Sequence, residues 1–345
     1  MTRSNLETPT NVDQSDGGSG IFLFGMERSG TTLLSMIVGS HPDIAVPLAT
    51  TGLWYDVANR LAPGNELRSE TDLQQLVADI LEHDRIQRWD CTLRVDDVLP
   101  FCRSNDYASV VEAFHKAYAY ANRKTLWGNI DIATLDQLHI ANRWFPNARF
   151  VHIYRDARDV ALSNQTMPYG AGNLAECADA WSRRLTINLR MGLIIGSARY
   201  RAIAYEDLVN NPREVLENLC VFLGVPFSES MLAYSDAAEA KVPEDRRWLW
   251  PNLTGPLDRS ATHRWRTSMG TTKRVVVERY AGRLLRELGY DTYDQPPRRL
   301  SAELLDLAYF LDRGGRSKRW LGKLGLRRAS TLERRWQNRK NTRRS

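Results

Sequence analysis

No stretch of this sequence approaches the roughly 18 consecutive apolar residues that a membrane-spanning helix needs, which excludes an integral helical membrane protein. Cysteine is scarce. The four present, Cys91, Cys102, Cys177 and Cys220, form no C-x-x-C pair, and none lies near a histidine at metal-ligand spacing. That argues against a zinc site or a disulfide framework and for reduced thiols in a cytosolic protein. Residues 1–19 lack the apolar run of a signal peptide; polar and Gly/Ser-rich, they read as a disordered leader. The body of the chain also lacks excess positive charge. There are 47 Lys+Arg against 41 Asp+Glu overall, but residues 313–345 hold 13 of the basic groups and a single acid, Glu333, which leaves the rest at net −6. The charge balance therefore does not make the body a nucleic-acid binder. The expected setting is cytoplasmic. The basic tail also carries Trp320, Leu321, Leu324, Leu326, Leu332 and Trp336. That mixture suits either peripheral membrane contact or a solvated tail.

What is present is globular: 43% apolar and 26% charged residues over 345 positions, enough to bury one large core or two modest ones. Ile21–Phe24 (IFLF), Lys124–Gly128, Arg149–Tyr154 (RFVHIY) and Tyr200–Tyr205 (YRAIAY) read as strands. Helices are expected over 31–39, 69–83, 105–122, 133–144, 157–163 or beyond, 173–195, 212–223, 273–289 and 301–311. Strands that alternate with helices imply an α/β fold with a mostly parallel sheet. Residues 241–272, with Pro243, Pro251, Pro256, Trp248, Trp250 and Trp265, show little helical pattern and read as a long binding loop. The expected organisation is the leader, one domain over 20–294, and a C-terminal helix with the basic tail over 295–345.

Two segments carry chemistry. Gly25-Met26-Glu27-Arg28-Ser29-Gly30-Thr31-Thr32 sits between an expected strand and an expected helix. Backbone amides in such a loop and the positive end of the helix make an anion site. Its frame is that of a nucleotide P-loop, but Thr31 stands where the lysine should be and the cation has moved to Arg28. The second segment follows the strand RFVHIY: Arg155, then Ser163 eight residues on. An arginine at the carboxyl end of a parallel strand faces the crevice where open α/β sheets bind ligands. A forked guanidinium and a hydroxyl are a phosphate pair; a solvated helix start with an incidental serine is the plainer alternative.

Together, and in this order, the two segments resemble the PAPS-dependent sulfotransferases, and Arg28 with His41-Pro42-Asp43 is similar to the bacterial and Golgi-type branches of that family. Tyr205-Glu206-Asp207-Leu208, Asn211-Pro212 and Phe222-Leu223-Gly224 also resemble the family, so that the likeness spans about 20–290. The resemblance implies a three-layer α/β fold like that of P-loop kinases, with a central, mostly parallel sheet flanked by helices. It implies PAPS as sulfuryl donor, PAP as product and no requirement for a metal. Arg28, Ser29, Gly30, Thr31 and Thr32 would bind the 5′-phosphosulfate, Arg155 and Ser163 the 3′-phosphate, and Tyr205 would lie near the adenine. Arg264-Trp265-Arg266 is the best match to a late basic loop over the 3′-phosphate, with ordinary core packing as the alternative for Trp265. Arg28 would also be catalytic, stabilising the bridging oxygen as PAP leaves.

The pattern breaks at the general base. Many relatives with the His-Pro-Asp segment have a glutamate shortly after it, and this chain has Pro47-Leu48-Ala49-Thr50. The Lys-Thr-His of cytosolic relatives is replaced by Trp127-Gly128-Asn129-Ile130-Asp131, and the lysine expected there is missing too. Asp131 is the candidate base, with helix capping as its alternative role; Asp56, His115 and His263 are further candidates. The expected function is sulfuryl transfer to a hydroxyl or amine of a carbohydrate, lipid or natural-product acceptor. A catalytically weak PAP- or anion-binding member of the same fold, or a P-loop kinase, are the alternatives. Expected partners are a small-molecule, glycan or lipid acceptor, not nucleic acid.

Overall fold

The computed structural model describes residues 20–48, 67, 69–130, 134–167, 173–242, 244 and 253–292. Five strands form one parallel sheet: β1 (Ile21–Phe24), β2 (Ile44–Ala45), β3 (Leu126–Ile130), β4 (Arg149–Tyr154) and β5 (Tyr200–Ala204), in the order β2-β3-β1-β4-β5. β1 sits in the centre because all four of its residues are apolar and can be buried on both faces. Gly25 ends it. A Cβ there would stand 2.2 Å from the Ile153 carbonyl oxygen, so only glycine lets the chain leave β1 so close to β4.

The helices are α1 (Thr31–Gly39), α2 (Glu70–Leu81), α3 (Val95–Val98), α4 (Tyr107–Ala121), α5 (Thr134–Trp144), α6 (Ala157–Gln165), α7 (Leu174–Ile195), α8 (Tyr205–Asn210), α9 (Pro212–Leu223), α10 (Tyr234–Lys241), α11 (Trp265–Ser268) and α12 (Thr271–Glu287). Their ends follow local chemistry. Ser69 accepts from the Asp72 amide at the start of α2, and Asp106 does the same for Ser109 at the start of α4. Pro212 opens α9 and Gly224, at φ 69°, closes it. Among the described residues no helix is long and apolar enough to cross a membrane.

The chain divides into two compact units, residues 1–156 with 183–264, and residues 157–182 with 265–345. The first contains the whole sheet and has a core on each face. Phe22, Phe24, Trp127 and Phe150 pack with α2 to α5 on one side; Ile21, Leu23, Val151 and Ile153 pack with α1, α8, α9 and α10 on the other. This alternation along single strands gives the three layers expected from the sequence. Phe22 is central to the first core, with its ring centroid 5.2 Å from Phe150 and 5.4 Å from Phe145. In the second unit α6 packs with α11 and α12. There the buried Arg158 donates to Glu278 Oε1 at 2.7 Å and to the Asp291 carbonyl at 2.6 Å, while its guanidinium lies 3.7 Å from the Trp265 ring centroid.

Two histidines are wholly buried and neutral in the first core. Nδ1–H of His115 donates to the Val111 carbonyl at 2.7 Å, and its Nε2 accepts from the Asn129 amide at 3.0 Å. His152 lies 2.7 Å through Nδ1 from the Tyr200 hydroxyl, and its Nε2 lies 3.3 Å from the Asn188 amide nitrogen. Burial pushes the first down to about 4 and the second to about 3.

The His41-Pro42-Asp43 turn is held by charge and hydrogen bonds. His41 Nε2–H donates to the Pro226 carbonyl at 2.7 Å, and its Nδ1 accepts from the Asp43 amide at 3.1 Å. The Lys124 ammonium donates to three carbonyls, those of Gly39, His41 and Ile44, at 2.6, 2.9 and 3.0 Å. It thereby satisfies the C-terminal end of α1, which has no other cation in its last turn. Burial pushes this ammonium down to about 8, so it remains charged at neutral pH. Lys124→Met keeps the stem and removes the donor. It is expected to lower the free energy of unfolding by about 2–3 kcal/mol, read as a lower urea midpoint with an unchanged slope.

Candidate anion-binding site

The loop after β1 and the residues after β4 and β5 leave the sheet at its carboxyl edge. β1 connects onward to β2 and β3 on one side, and β4 connects to β5 on the other, so the chain reverses its direction of growth between β1 and β4. Ligands of open α/β sheets bind at such a switch point. Arg28, Ser29, Gly30, Thr31, Thr32, Arg155 and Tyr205 all belong to the first unit and lie at or beside these strand ends.

The loop is tightly wound. The Ser29 amide donates to the Met26 carbonyl at 3.1 Å, and Leu34 donates to Gly30 at 2.9 Å to open α1. Arg28 has φ 69° and Gly30 φ 98°. The left-handed conformation costs a non-glycine residue roughly 1–2 kcal/mol, and Arg28 is held in it by its surroundings. At Gly30 a side chain is excluded twice: by φ, and because a Cβ would stand 2.6 Å from Tyr205 Cδ2. With glycine as its N-cap, α1 has no side chain folded back over its first amides. Ser29 is buried, and its Oγ has no hydrogen-bond partner among the described residues. A buried hydroxyl without a partner, in a loop at a helix N-terminus, fits an anionic oxygen.

Arg155 joins three segments. Its Nη1 donates to the Arg28 carbonyl at 3.3 Å, its Nη2 donates to the Ala261 carbonyl at 2.5 Å, and its guanidinium stacks over the Tyr205 ring at 4.3 Å. The next residue is fixed as well: the Asp156 amide donates to Glu206 Oε1 at 3.0 Å. Tyr205 thus lies between the Arg155 guanidinium and Gly30, and it opens α8 instead of ending β5. The acids Glu206 and Asp207 in the first turn of α8 account for that change, since they favour a helix N-terminus.

The remaining sequence-derived candidates are distributed differently. Arg264 ends the first unit. Ser163, half-buried on α6, and Trp265 and Arg266, on α11, belong to the second. Trp265 is buried, and the guanidiniums of Arg158, Arg274 and Arg266 lie 3.7, 4.4 and 4.9 Å from its ring centroid. Its backbone amide donates to Asp159 Oδ1 at 2.8 Å. Of the candidate bases, Asp131 and Asp56 lie outside the described residues. His115 uses both ring nitrogens inside the core. His263 sits at φ 56°, and its Nδ1 is buried with no partner among the described residues.

Three participants escape a reading of the sequence alone. Ala261 contributes only a carbonyl, which leaves no side-chain signature. Glu206 lies 50 residues from the amide it accepts. Glu27 pairs with Arg184, 157 residues away, at 2.9 Å.

Comparison with known proteins gives a consistent picture. A model described as the sulfotransferase family matches residues 20–229. Protein-tyrosine sulfotransferase 2 of Gallus gallus is 23% identical over 291 residues, covering 80% of this chain and 71% of the relative. The protein-tyrosine sulfotransferase of Drosophila melanogaster is 25% identical over 297 residues; the match takes in 80% of this chain and spans only about half, 52%, of the fly protein. Among solved structures, the sulfotransferase domain from the curacin biosynthetic pathway superposes with a TM-score of 0.55 at 20% identity, covering 80% of this chain and 98% of the other. The sulfotransferase domain from the Synechococcus PCC 7002 olefin synthase gives 0.52 at 23% identity, covering 81% and 97%. These two likenesses concern the fold.

Proposed function

Because the chain belongs to the sulfotransferase family, we propose that it takes its sulfuryl group from PAPS at the carboxyl edge of the sheet and releases PAP. The acceptor in this reading is a hydroxyl or amine of a carbohydrate, lipid or natural product. The observation that carries the donor assignment is the loop Gly25–Thr32: an arginine and a glycine in left-handed conformations, an uncapped helix end, and a buried Ser29 hydroxyl with no partner among the described residues. This set of donors suits a 5′-phosphosulfate.

PAPS, when bound, supplies the activated sulfuryl group; the chain supplies alignment and charge. The amides of the loop, with the hydroxyls of Ser29, Thr31 and Thr32, would hold the 5′-phosphate and keep the sulfur in line with the acceptor. Arg28 would neutralise the charge that develops on the leaving oxygen. Arg155 is assigned to the 3′-phosphate and Tyr205 to the side of the adenine. Ser163, Arg264, Trp265 and Arg266 are assigned to PAP on the sequence resemblance alone. A general base must take the acceptor proton, and Asp131 is proposed for that role. The engaged ring of His115 supports leaving it out.

Similarity to protein-tyrosine sulfotransferases over 80% of the chain favours a second acceptor class, the phenolic hydroxyl of a tyrosyl peptide. Calorimetry with PAP, followed by a ³⁵S-PAPS screen against glycans, lipids, natural-product alcohols and tyrosyl peptides, tests both. PAP binding with label transfer to one class is expected. PAP binding without transfer to any acceptor supports the catalytically weak alternative. Mg-ATP binding without PAP binding contradicts the donor assignment.

A further inference from the structure

The loop carries an acid where an anion has to bind. Glu27 directly precedes Arg28, and a carboxylate in that position opposes the approach of a phosphosulfate. Arg28 itself, which the anion needs, is the one cation within ten residues of it in the sequence. The structure supplies another: Glu27 Oε2 lies 2.9 Å from Nη1 of Arg184, in the part of α7 that belongs to the first unit. The two side chains are 33% and 34% exposed. An ion pair that open to solvent contributes little to the stability of a fold. Its field still reaches an anion held on the neighbouring residue, within about the 10 Å Debye length of 0.1 M salt.

We infer that Arg184 is a positioning residue of the donor site, which acts through Glu27. It cancels the carboxylate, so that an incoming anion meets the charge of Arg28 and the loop amides alone. This inference rests on the donor assignment made above. The idea predicts opposite signs for the two halves of the pair, which a plain structural tie does not. If the pair only braced the loop against α7, either substitution would break the same bond and do the same harm.

The test is a double-mutant cycle read by PAP calorimetry on the full chain. At 50 mM salt Arg184→Ala is expected to weaken PAP binding about tenfold and Glu27→Gln to tighten it about threefold, because one variant exposes the acid and the other removes it. With Glu27 neutral, Arg184 has no carboxylate left to cancel, so the double variant should bind like Glu27→Gln, about threefold tighter than the wild type, where two independent effects would leave it about threefold weaker; that difference is the coupling such a cycle isolates. Arg184→Lys, which keeps the charge, should retain at least about a third of the wild-type affinity. At 0.5 M salt the spread among the variants should shrink, as screening requires. Equal weakening by both single substitutions, with no recovery in the double variant, would overturn the inference. So would affinities that do not differ. Failure of the wild-type chain to bind PAP overturns the donor assignment itself, and this inference with it.

Discussion

Arg155→Ala is expected to weaken PAP binding by about 1.5–3 kcal/mol, the range of a hydrogen bond to a charged group, and Arg28→Ala by a similar amount. The two should differ in what else they change. Arg28 lies half-buried in the loop that follows β1. Arg155 also binds the carbonyls of Arg28 and Ala261 and stacks on Tyr205, so its removal loosens three segments at once. The expected signature is a urea midpoint lowered more by Arg155→Ala than by Arg28→Ala, with both weakened in calorimetry. Arg155→Lys should recover little of either, because an ammonium cannot make two directed contacts and a flat stack together. Wild-type PAP affinity in both alanine variants would remove these two residues from the site.

Acid should destabilise the protein well above the carboxylate range. His115 and His152 are buried and neutral, with native pKa values near 4 and 3. In the unfolded chain each titrates near its ordinary value of 6.5. Both folded values are depressed, so below pH 6.5 the unfolded state takes up protons that the native state refuses. Stability therefore falls as pH falls, by up to about 1.4 kcal/mol per pH unit for each ring. Between pH 6.5 and 4.5 the two together cost roughly 4 kcal/mol, a large share of a typical domain's stability. Urea melts at pH 7, 6 and 5 should show this slope, and His152→Gln should cut it by about half. A midpoint that stays constant over that range would show that the rings are protonated, or solvated, in the native state.

The elements legible in the sequence were those whose pattern is local. β1, α1, β4 and α9 match their sequence-derived bounds residue for residue, because a fully buried parallel strand is continuously apolar and the helices carry Gly or Pro at their ends. β3 begins two residues later than expected because Lys124 does not serve the strand: its ammonium is spent on three carbonyls between the end of α1 and β2, 80 or more residues away. Ile44–Ala45 is too short to show a period, and it is a strand only because Leu126 and Trp127 lie alongside. The same division holds at the site. Arg28, Gly30 and Arg155 are visible because charge or glycine at a strand end is unusual. The packing of Tyr205 on Gly30, the Ala261 carbonyl under Arg155 and the pairing of Arg184 with Glu27 each join segments more than 100 residues apart, and no local pattern encodes them.

The parallel sheet has a consequence for synthesis on the ribosome. With no hairpin in it, Phe22 must wait for Phe150 and Asn129, its partners in the register, before it can be covered on both sides. At the roughly 5–20 residues per second of translation, that interval is on the order of ten seconds. Throughout it the apolar tetrapeptide Ile21–Phe24 stays uncovered and adhesive. Heterologous production should thus gain from slow growth in the cold and from abundant holdases that cover this segment until its partners emerge.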